Sequence, residues 1–285
     1  MKVTFIGLGI MGSRMAHNLL NNQVDLTVYN RSEAPADALA EKGAKKATTI
    51  EEAVAEADIV FTMLAHPEAV SAVMLEKGLK AMQAKAYWID CSTVNPSFSM
   101  ASAKAADANQ VNFLDAPVAG TKPQAQEGSL TFFLGGKQEE TSSIEPILKH
   151  MGNKVLYFDE VSKGTSFKML VNALLAQSMV MFAEAVILGE KMGLPRSLLL
   201  DMLPNLPVVA PFTKAKAGMM KQHNYDVQFP LELMYKDLHL ATLTANENHQ
   251  PLYLANLTKE VYAQATKQGF GREDFAAIFQ YLTQE

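Results

Sequence analysis

One cysteine, Cys91, stands in 285 residues, so the chain can close no disulfide on itself and a reducing, cytoplasmic setting is expected. Nothing around it in DCST argues for an activated thiolate. The six histidines, His17, His66, His150, His223, His239 and His249, have neither metal-ligand spacing nor cysteine partners, so no metal site is expected. Positive charge is not in excess. The 25 Lys and Arg face 30 Asp and Glu, a net charge of −5 that speaks against nucleic acid or an anionic membrane as partner. A secretory signal is missing too: in MKVTFIGLGIMG the apolar part is short, broken by glycine, and followed by no A-x-A site. The apolar run 169–188 is interrupted by Asn172, Gln177, Ser178 and Glu184, which favours the core helix of a soluble protein over a membrane span. No repeat, low-complexity run or Gly/Ser linker appears, so any two parts are expected to be joined rigidly.

What is present is alternation. VTFIGLG (3–9), LTVYN (26–30), IVFTMLA (59–65), AYWIDCS (86–92), NFLDAPV (112–118), LTFFLGG (130–136) and KVLYFD (154–159) read as short apolar strands. Helical runs, among them IMGSRMAHNLLNN, APADALAEKG and 68–82, separate the early ones. Right-handed crossovers between such strands predict an α/β chain with a Rossmann-type, doubly wound, mostly parallel sheet. After Asp159 only helices are predicted, over 164–192, 195–203, 211–222, 229–247, 251–268 and 272–283. The expected organisation is a dinucleotide-binding domain at 1–162 and an all-helical domain at 163–285, linked by the helix 164–192. Gly193 and Pro195 end that helix in the usual order.

Gly7, Leu8, Gly9, Ile10, Met11 and Gly12 form G-x-G-x-x-G between a strand and a helix. The motif needs that context: a tight turn, close backbone approach to a pyrophosphate, and a helix N-terminus facing the charge. An acid at the end of the second strand would bond the ribose 2′-hydroxyl of NAD. The chain has Tyr29-Asn30-Arg31-Ser32 there instead. A guanidinium clamps phosphate in a bidentate fork, so NADP(H) is the expected cofactor. The plainer reading of Arg31 is a solvated residue at a strand end.

Six ordered blocks then resemble the β-hydroxyacid dehydrogenase family over essentially the whole chain. They are FIGLGIMG (5–12), TMLAHPEAV (62–70), DCSTV (90–94), DAPVAGTKPQAQEGSL (115–130), GTSFKMLVN (164–172) and FPLELMYKDLHLA (229–241). NR after the second strand, Lys122, KMLVN, FPL and KD are closest to the glyoxylate/succinic semialdehyde reductase branch. The resemblance implies that Met63 and Leu64 pass beside the adenosine and ribose, and that Thr93 touches the cofactor near its nicotinamide. It implies that the loop of Ala119, Gly120, Thr121 and Lys122 holds the substrate carboxylate. It makes Lys168 the catalytic lysine, with Asn172 beside it, and has Lys236, ahead of Asp237, reach the cofactor.

Lys168 and Asn172 are four apart, so both side chains leave one helix face. If hydride reaches an aldehyde carbon there, the oxygen gains negative charge, which an ammonium stabilises while donating the proton. Such donation is worth roughly 10²- to 10⁴-fold in rate. Partial burial would lower the lysine pKa and ease exchange near neutrality. On spacing alone, a lysine stem packed along the helix with a solvated head is the commoner outcome. The family pattern usually carries serine where this chain has Ala119, which removes one hydrogen bond to the carboxylate, about 1.5–3 kcal/mol unless Thr121 or Lys122 replaces it. Asp90 and Asp115 are not read as a catalytic pair, because each ends a strand of its own.

The expected protein is an NADPH-dependent reductase of a small aldehyde acid, with its site between the domains and at least a homodimer, or homotetramer, covering the apolar helix. An imine reductase fits Ala119 but commonly lacks the lysine. A 6-phosphogluconate-type enzyme would need a longer helical part. A non-catalytic cofactor-binding scaffold would not need Lys168.

Overall fold

The structure, a computed structural model, describes residues 1–283, the Glu140 side chain excepted. Contacts divide the chain into two compact units that meet at Lys168 and Met169, inside the long helix Lys163–Lys191.

The first unit is built on nine strands: β1 (Lys2–Ile6), β2 (Asp25–Tyr29), β3 (Lys45–Lys46), β4 (Ile59–Thr62), β5 (Tyr87–Asp90), β6 (Asn112–Asp115), β7 (Val118–Ala119), β8 (Leu130–Gly135) and β9 (Gly152–Phe158). Their order is β3-β2-β1-β4-β5-β6-β8-β7, with β9 on the other side of β8. Strands β1 to β6 run parallel, in the doubly wound pattern that right-handed crossovers produce. The sheet turns antiparallel at β8, which opposes both β6 and β7, and β9 is again parallel to β8.

Neighbouring residues on one strand bury opposite faces. Phe5, Phe61, Ile89 and Leu114 pack into one apolar layer with Met15, Leu19 and Leu134. Ile6, Val60, Trp88 and Phe113 pack into the other with Met74 and Leu79. A parallel sheet covered on both faces needs such continuous apolar runs, which is why these strands carry no polar alternation.

Several boundaries differ from expectation for identifiable reasons. The run 112–118 is two strands, because Pro117 has no N–H for the ladder; its carbonyl instead accepts from Phe133 N at 2.9 Å. β1 stops at Ile6 because Gly7 turns to φ +96. β3 is two lysines on the sheet edge, too short and too charged to signal a strand. The helical run 68–82 holds, but Ser71–Gly78 winds as a π-helix.

The second unit is helical among its described residues, apart from an isolated bridge between Pro230 and Asp274. Met179, Phe182, Ala183 and Val186 of the long helix pack into one core with Leu231, Met234, Leu238, Tyr262, Phe275 and Phe279. The predicted helix 272–283 is broken into 3₁₀ turns at Phe270–Arg272 and Phe275–Ala277 before the helix Ile278–Thr283. Asp274 interrupts it by accepting Ala276 N at 3.0 Å as a cap. By length and composition Lys163–Lys191 could cross a membrane, with 39% of its most apolar window buried within the protein.

Candidate cofactor and active site

The three glycines of the first loop do three different jobs. Gly7 lies at φ +96 and its N–H donates to Tyr29 O at 3.1 Å; a Cβ there would stand 2.4 Å from Met63 O. A Cβ on Gly12 would stand 1.9 Å from Gly7 O, so the helix Gly12–Asn21 approaches the strand closely only because that position is bare. A Cβ on Gly9 would meet nothing within 4 Å, so that side of the backbone is open. This division of turn, open approach and close packing fits a pyrophosphate on the loop.

Asn30 locks the loop to the end of β2. Its Oδ1 accepts from Leu8 N at 2.9 Å, and its Nδ2 donates to Ser32 O and Ser32 Oγ, each at 2.9 Å. Asn30 thus has its amide committed to shaping the site, while Arg31 and Ser32 lie exposed beside it. No acid lies at that strand end.

Met63 and Leu64 follow β4 as half-buried residues, and a polar chain beneath holds them. Trp88 Nε1 donates to Thr62 Oγ1 at 2.9 Å, and Thr62 Oγ1 donates to Asp90 Oδ1 at 2.8 Å. Ser92 N donates to the same oxygen at 3.1 Å, and Leu64 N donates to Ser92 Oγ at 2.9 Å. Thr93, next in the chain, is half-buried.

Lys168 is only 8% exposed, so the solvated-head reading of it does not hold. One turn further along the same helix, Asn172 is 1% exposed and its Nδ2 donates to Asp237 Oδ2 at 2.6 Å. A carboxylate only accepts, so the amide nitrogen must face Asp237, and Asn172 Oδ1 is left buried without a partner among the described residues. Lys236 Nζ lies 2.8 Å from Asp237 Oδ1, and so belongs to this cluster as an ion pair.

The loop 119–122 is shaped by a capping arrangement. Thr121 N and Thr121 Oγ1 both donate to Gln124 Oε1, at 2.9 and 3.0 Å, at the start of the helix Lys122–Glu127. The Thr121 proton is therefore engaged locally, which weakens it as the replacement for the missing serine hydroxyl. Ala119 and Lys122 are half-buried, and Gly120 is exposed. Cys91 is fully buried and its thiol is pushed well up by burial, as suits an inert core residue.

Comparison with known proteins identifies the family. Residues 2–158 match the model of the NAD-binding domain of 6-phosphogluconate dehydrogenase. Residues 162–282 match that of the NAD-binding domain of NADP-dependent 3-hydroxyisobutyrate dehydrogenase. Glyoxylate/succinic semialdehyde reductase 2 of Arabidopsis thaliana is 34% identical over 98% of this chain and 79% of its own. The mitochondrial 3-hydroxyisobutyrate dehydrogenase of Mus musculus is 35% identical over 99% of this chain and 87% of its own. The chain belongs to the β-hydroxyacid dehydrogenase family. The solved 3-hydroxyisobutyrate dehydrogenase of Mycobacterium tuberculosis superposes with a TM-score of 0.89, at 26% identity, over 99% of this chain and 98% of that one.

As a β-hydroxyacid dehydrogenase the chain is an NAD(P)-dependent oxidoreductase of hydroxyacid/aldehyde pairs, with an N-terminal NAD(P)-binding domain. Sequence reasoning missed two features of this β-hydroxyacid dehydrogenase. One is Asp237 as the partner that orients Asn172, hidden because the two are 65 residues apart. The other is that Asp90 and Asp115 end adjacent strands in register, side by side, although neither neighbours the other in sequence. Burial pushes Asp90 up to about 6 against the hydrogen bonds from Ser92 and Thr62, and the nearby Asp115 adds to the rise.

A folded-state pKa above the unfolded value means that the native state holds this proton more tightly. The resulting stabilisation is present below about pH 4 and lost as pH rises through 6, on the order of 3 kcal/mol for such a shift. Asp90→Asn is accordingly expected to flatten the decline in stability between pH 4 and 7, read from urea midpoints of both proteins. An unchanged slope would refute it.

Proposed function

We propose that this enzyme uses NADPH to reduce a small aldehyde acid, of the glyoxylate or succinic semialdehyde class, to its hydroxy acid, with Lys168 as proton donor. The observation that carries this reading is the buried cluster on the long helix: Lys168, and one turn on Asn172 with its amide oriented by Asp237. The bound cofactor would supply hydride to the carbonyl carbon. The Lys168 ammonium would stabilise the charge growing on the carbonyl oxygen and pass it a proton. Asn172, its nitrogen held by Asp237, would offer Oδ1 as an acceptor to the ammonium or to the product hydroxyl.

The glycine loop of Gly7, Leu8, Gly9, Ile10, Met11 and Gly12 would take the pyrophosphate. Arg31 and Ser32 would take the 2′-phosphate, with Asn30 shaping the loop from behind. Met63, Leu64, Thr93 and Lys236 would complete the cofactor contacts. The backbone at Ala119, Gly120 and Thr121, together with Lys122, would hold the substrate carboxylate. Ala119 favours one rival, a substrate with an imine or uncharged carbonyl in place of the acid.

NADPH oxidation at 340 nm against glyoxylate, succinic semialdehyde, tartronate semialdehyde, methylmalonate semialdehyde and two cyclic imines tests the reading, each repeated with NADH. Turnover of one acid aldehyde, with NADPH preferred, is the expected result; activity confined to imines would refute the substrate class. Arg31→Ala should reduce the NADPH preference by roughly 10- to 100-fold, the loss of one charge-assisted contact of about 1.5–3 kcal/mol. An unchanged preference would remove Arg31 from the site.

The oligomer is proposed on the same footing. Leu174, Met181 and Leu188 on the long helix, with Met192 just past its end, are exposed apolar side chains, 62–72% accessible, and a second copy of the chain would cover them. A light-scattering mass equal to one chain would end that proposal.

A further inference from the structure

The long helix begins in an unusual way. Ser162, the residue before it, is not glycine yet holds φ +76, the left-handed region that L side chains avoid. Its N–H donates to Asp115 Oδ1 at 2.7 Å, and the N–H of Thr165, in the first helical turn, donates to Asp115 Oδ2 at 2.7 Å. Both oxygens of one carboxylate, reaching from the end of β6, thus grip the two sides of the helix start.

Further contacts fix the same turn. Ser99 Oγ and Thr165 Oγ1 share a hydrogen bond of 3.1 Å, and both residues are buried. Gly164 lies so close to β8 that a Cβ on it would stand 2.1 Å from Phe133 O. Gly135 leaves the space that the carboxylate occupies, since a Cβ there would stand 2.1 Å from Asp115 Oδ1. Phe167 packs on Phe133 and Phe158, each ring centre 5.0 Å away.

Asp115 is a costly choice for a cap. It is 1% exposed, and burial raises its pKa even against the two backbone donors that favour the charged form. A serine or asparagine would satisfy one N–H at less cost. A carboxylate satisfies both at once, complements the helix dipole, and so fixes the rotation of the helix as well as its height. Thr165, Lys168 and Asn172 lie at i, i+3 and i+7, on one helix face, so that rotation decides where the lysine points.

We propose that Asp115 is a positioning residue for Lys168: by holding Ser162 and Thr165 it sets where the ammonium stands. The proposal rests on the reading of Lys168 as proton donor, and a double-mutant cycle separates the two. Asp115→Asn keeps the shape but can accept only one of the two N–H groups. It is expected to lower kcat by ~30-fold, the scale of a sub-ångström misplacement, with NADPH affinity from fluorescence within about twofold. In the Lys168→Ala background the same change should alter the residual rate by less than about twofold, because its effect passes through the lysine.

An equal fall in both backgrounds, or an unchanged kcat in folded Asp115→Asn, would overturn the positioning role. A Lys168→Ala enzyme that turns over normally would instead overturn the proton-donor reading. Should Asp115→Asn fail to fold, Ser99→Ala removes the gentler tether. It is expected to lower kcat about threefold with the same dependence on Lys168, and no change in kcat would count against the proposal.

Discussion

Lys168→Ala is expected to lower kcat by roughly 10²- to 10⁴-fold while leaving NADPH affinity within about twofold. The asymmetry follows from when the lysine acts. As the proposed proton donor, its ammonium would face little net charge on a ground-state aldehyde and would meet a developing oxyanion only as hydride arrived. An interaction made chiefly in the transition state appears in kcat rather than in KM. The position is 8% exposed, so water does not replace the missing donor easily, and the surroundings strengthen whatever charge interaction occurs there. Lys168→Arg should restore part of the charge stabilisation but little of the proton transfer, since a guanidinium does not give up its proton near neutrality. Steady-state rates with the best acid aldehyde, beside cofactor titration by fluorescence, make the measurement. A kcat within about threefold of wild type in Lys168→Ala would remove the lysine from the chemistry.

The glycine loop was legible in the sequence because it depends on spacing within a few residues, whereas Lys168 was singled out by the family resemblance and not by its spacing. G-x-G-x-x-G between a strand and a helix dictates its own geometry, and the structure gives Gly7 and Gly12 separate reasons to be bare while leaving open space at Gly9. Positions 168 and 172 share a face whatever the helix packs on. The supports of these groups were not legible, since each is supplied from far along the chain. Asp115 reaches Thr165 across 50 residues, and Asp237 reaches Asn172 across 65. Asp90 and Asp115 are neighbours only through the β5–β6 register. Ending separate strands did not keep them apart; in a parallel sheet it is what brings strand-end residues to one edge. The break at Pro117 was visible in the sequence but outweighed by the apolar run around it, although a missing N–H is decisive in a ladder.

Asp274→Ala is expected to destabilise the helical unit by about 3–5 kcal/mol, the usual result of removing one partner from a buried ion pair. Asp274 is 0% exposed and receives four donors. Lys216 Nζ lies 2.7 Å from Oδ1, Ala276 N 3.0 Å from Oδ1, and Gln228 N and Phe229 N each 3.1 Å from Oδ2. The carboxylate therefore joins three segments that would otherwise be separate: the helix Thr213–Gln222, the approach to Leu231, and the turn Phe275–Ala277. Lys216 is itself 3% exposed, and burial pulls its pKa down against the opposing pull of Asp274. Removing the acid would strand a buried ammonium left with only the Met219 sulfur, 3.7 Å away, and the Phe275 ring, 4.5 Å away, among the described residues. Lys216→Met should cost less, about 1–2 kcal/mol, because the carboxylate keeps its three backbone donors and the methionine fills the space. The double variant should then fall short of the sum of the two, since the stranded charge is gone. Urea unfolding of the three variants reads both points. Strict additivity, or a loss below about 1 kcal/mol in Asp274→Ala, would mean that this carboxylate does not organise the unit.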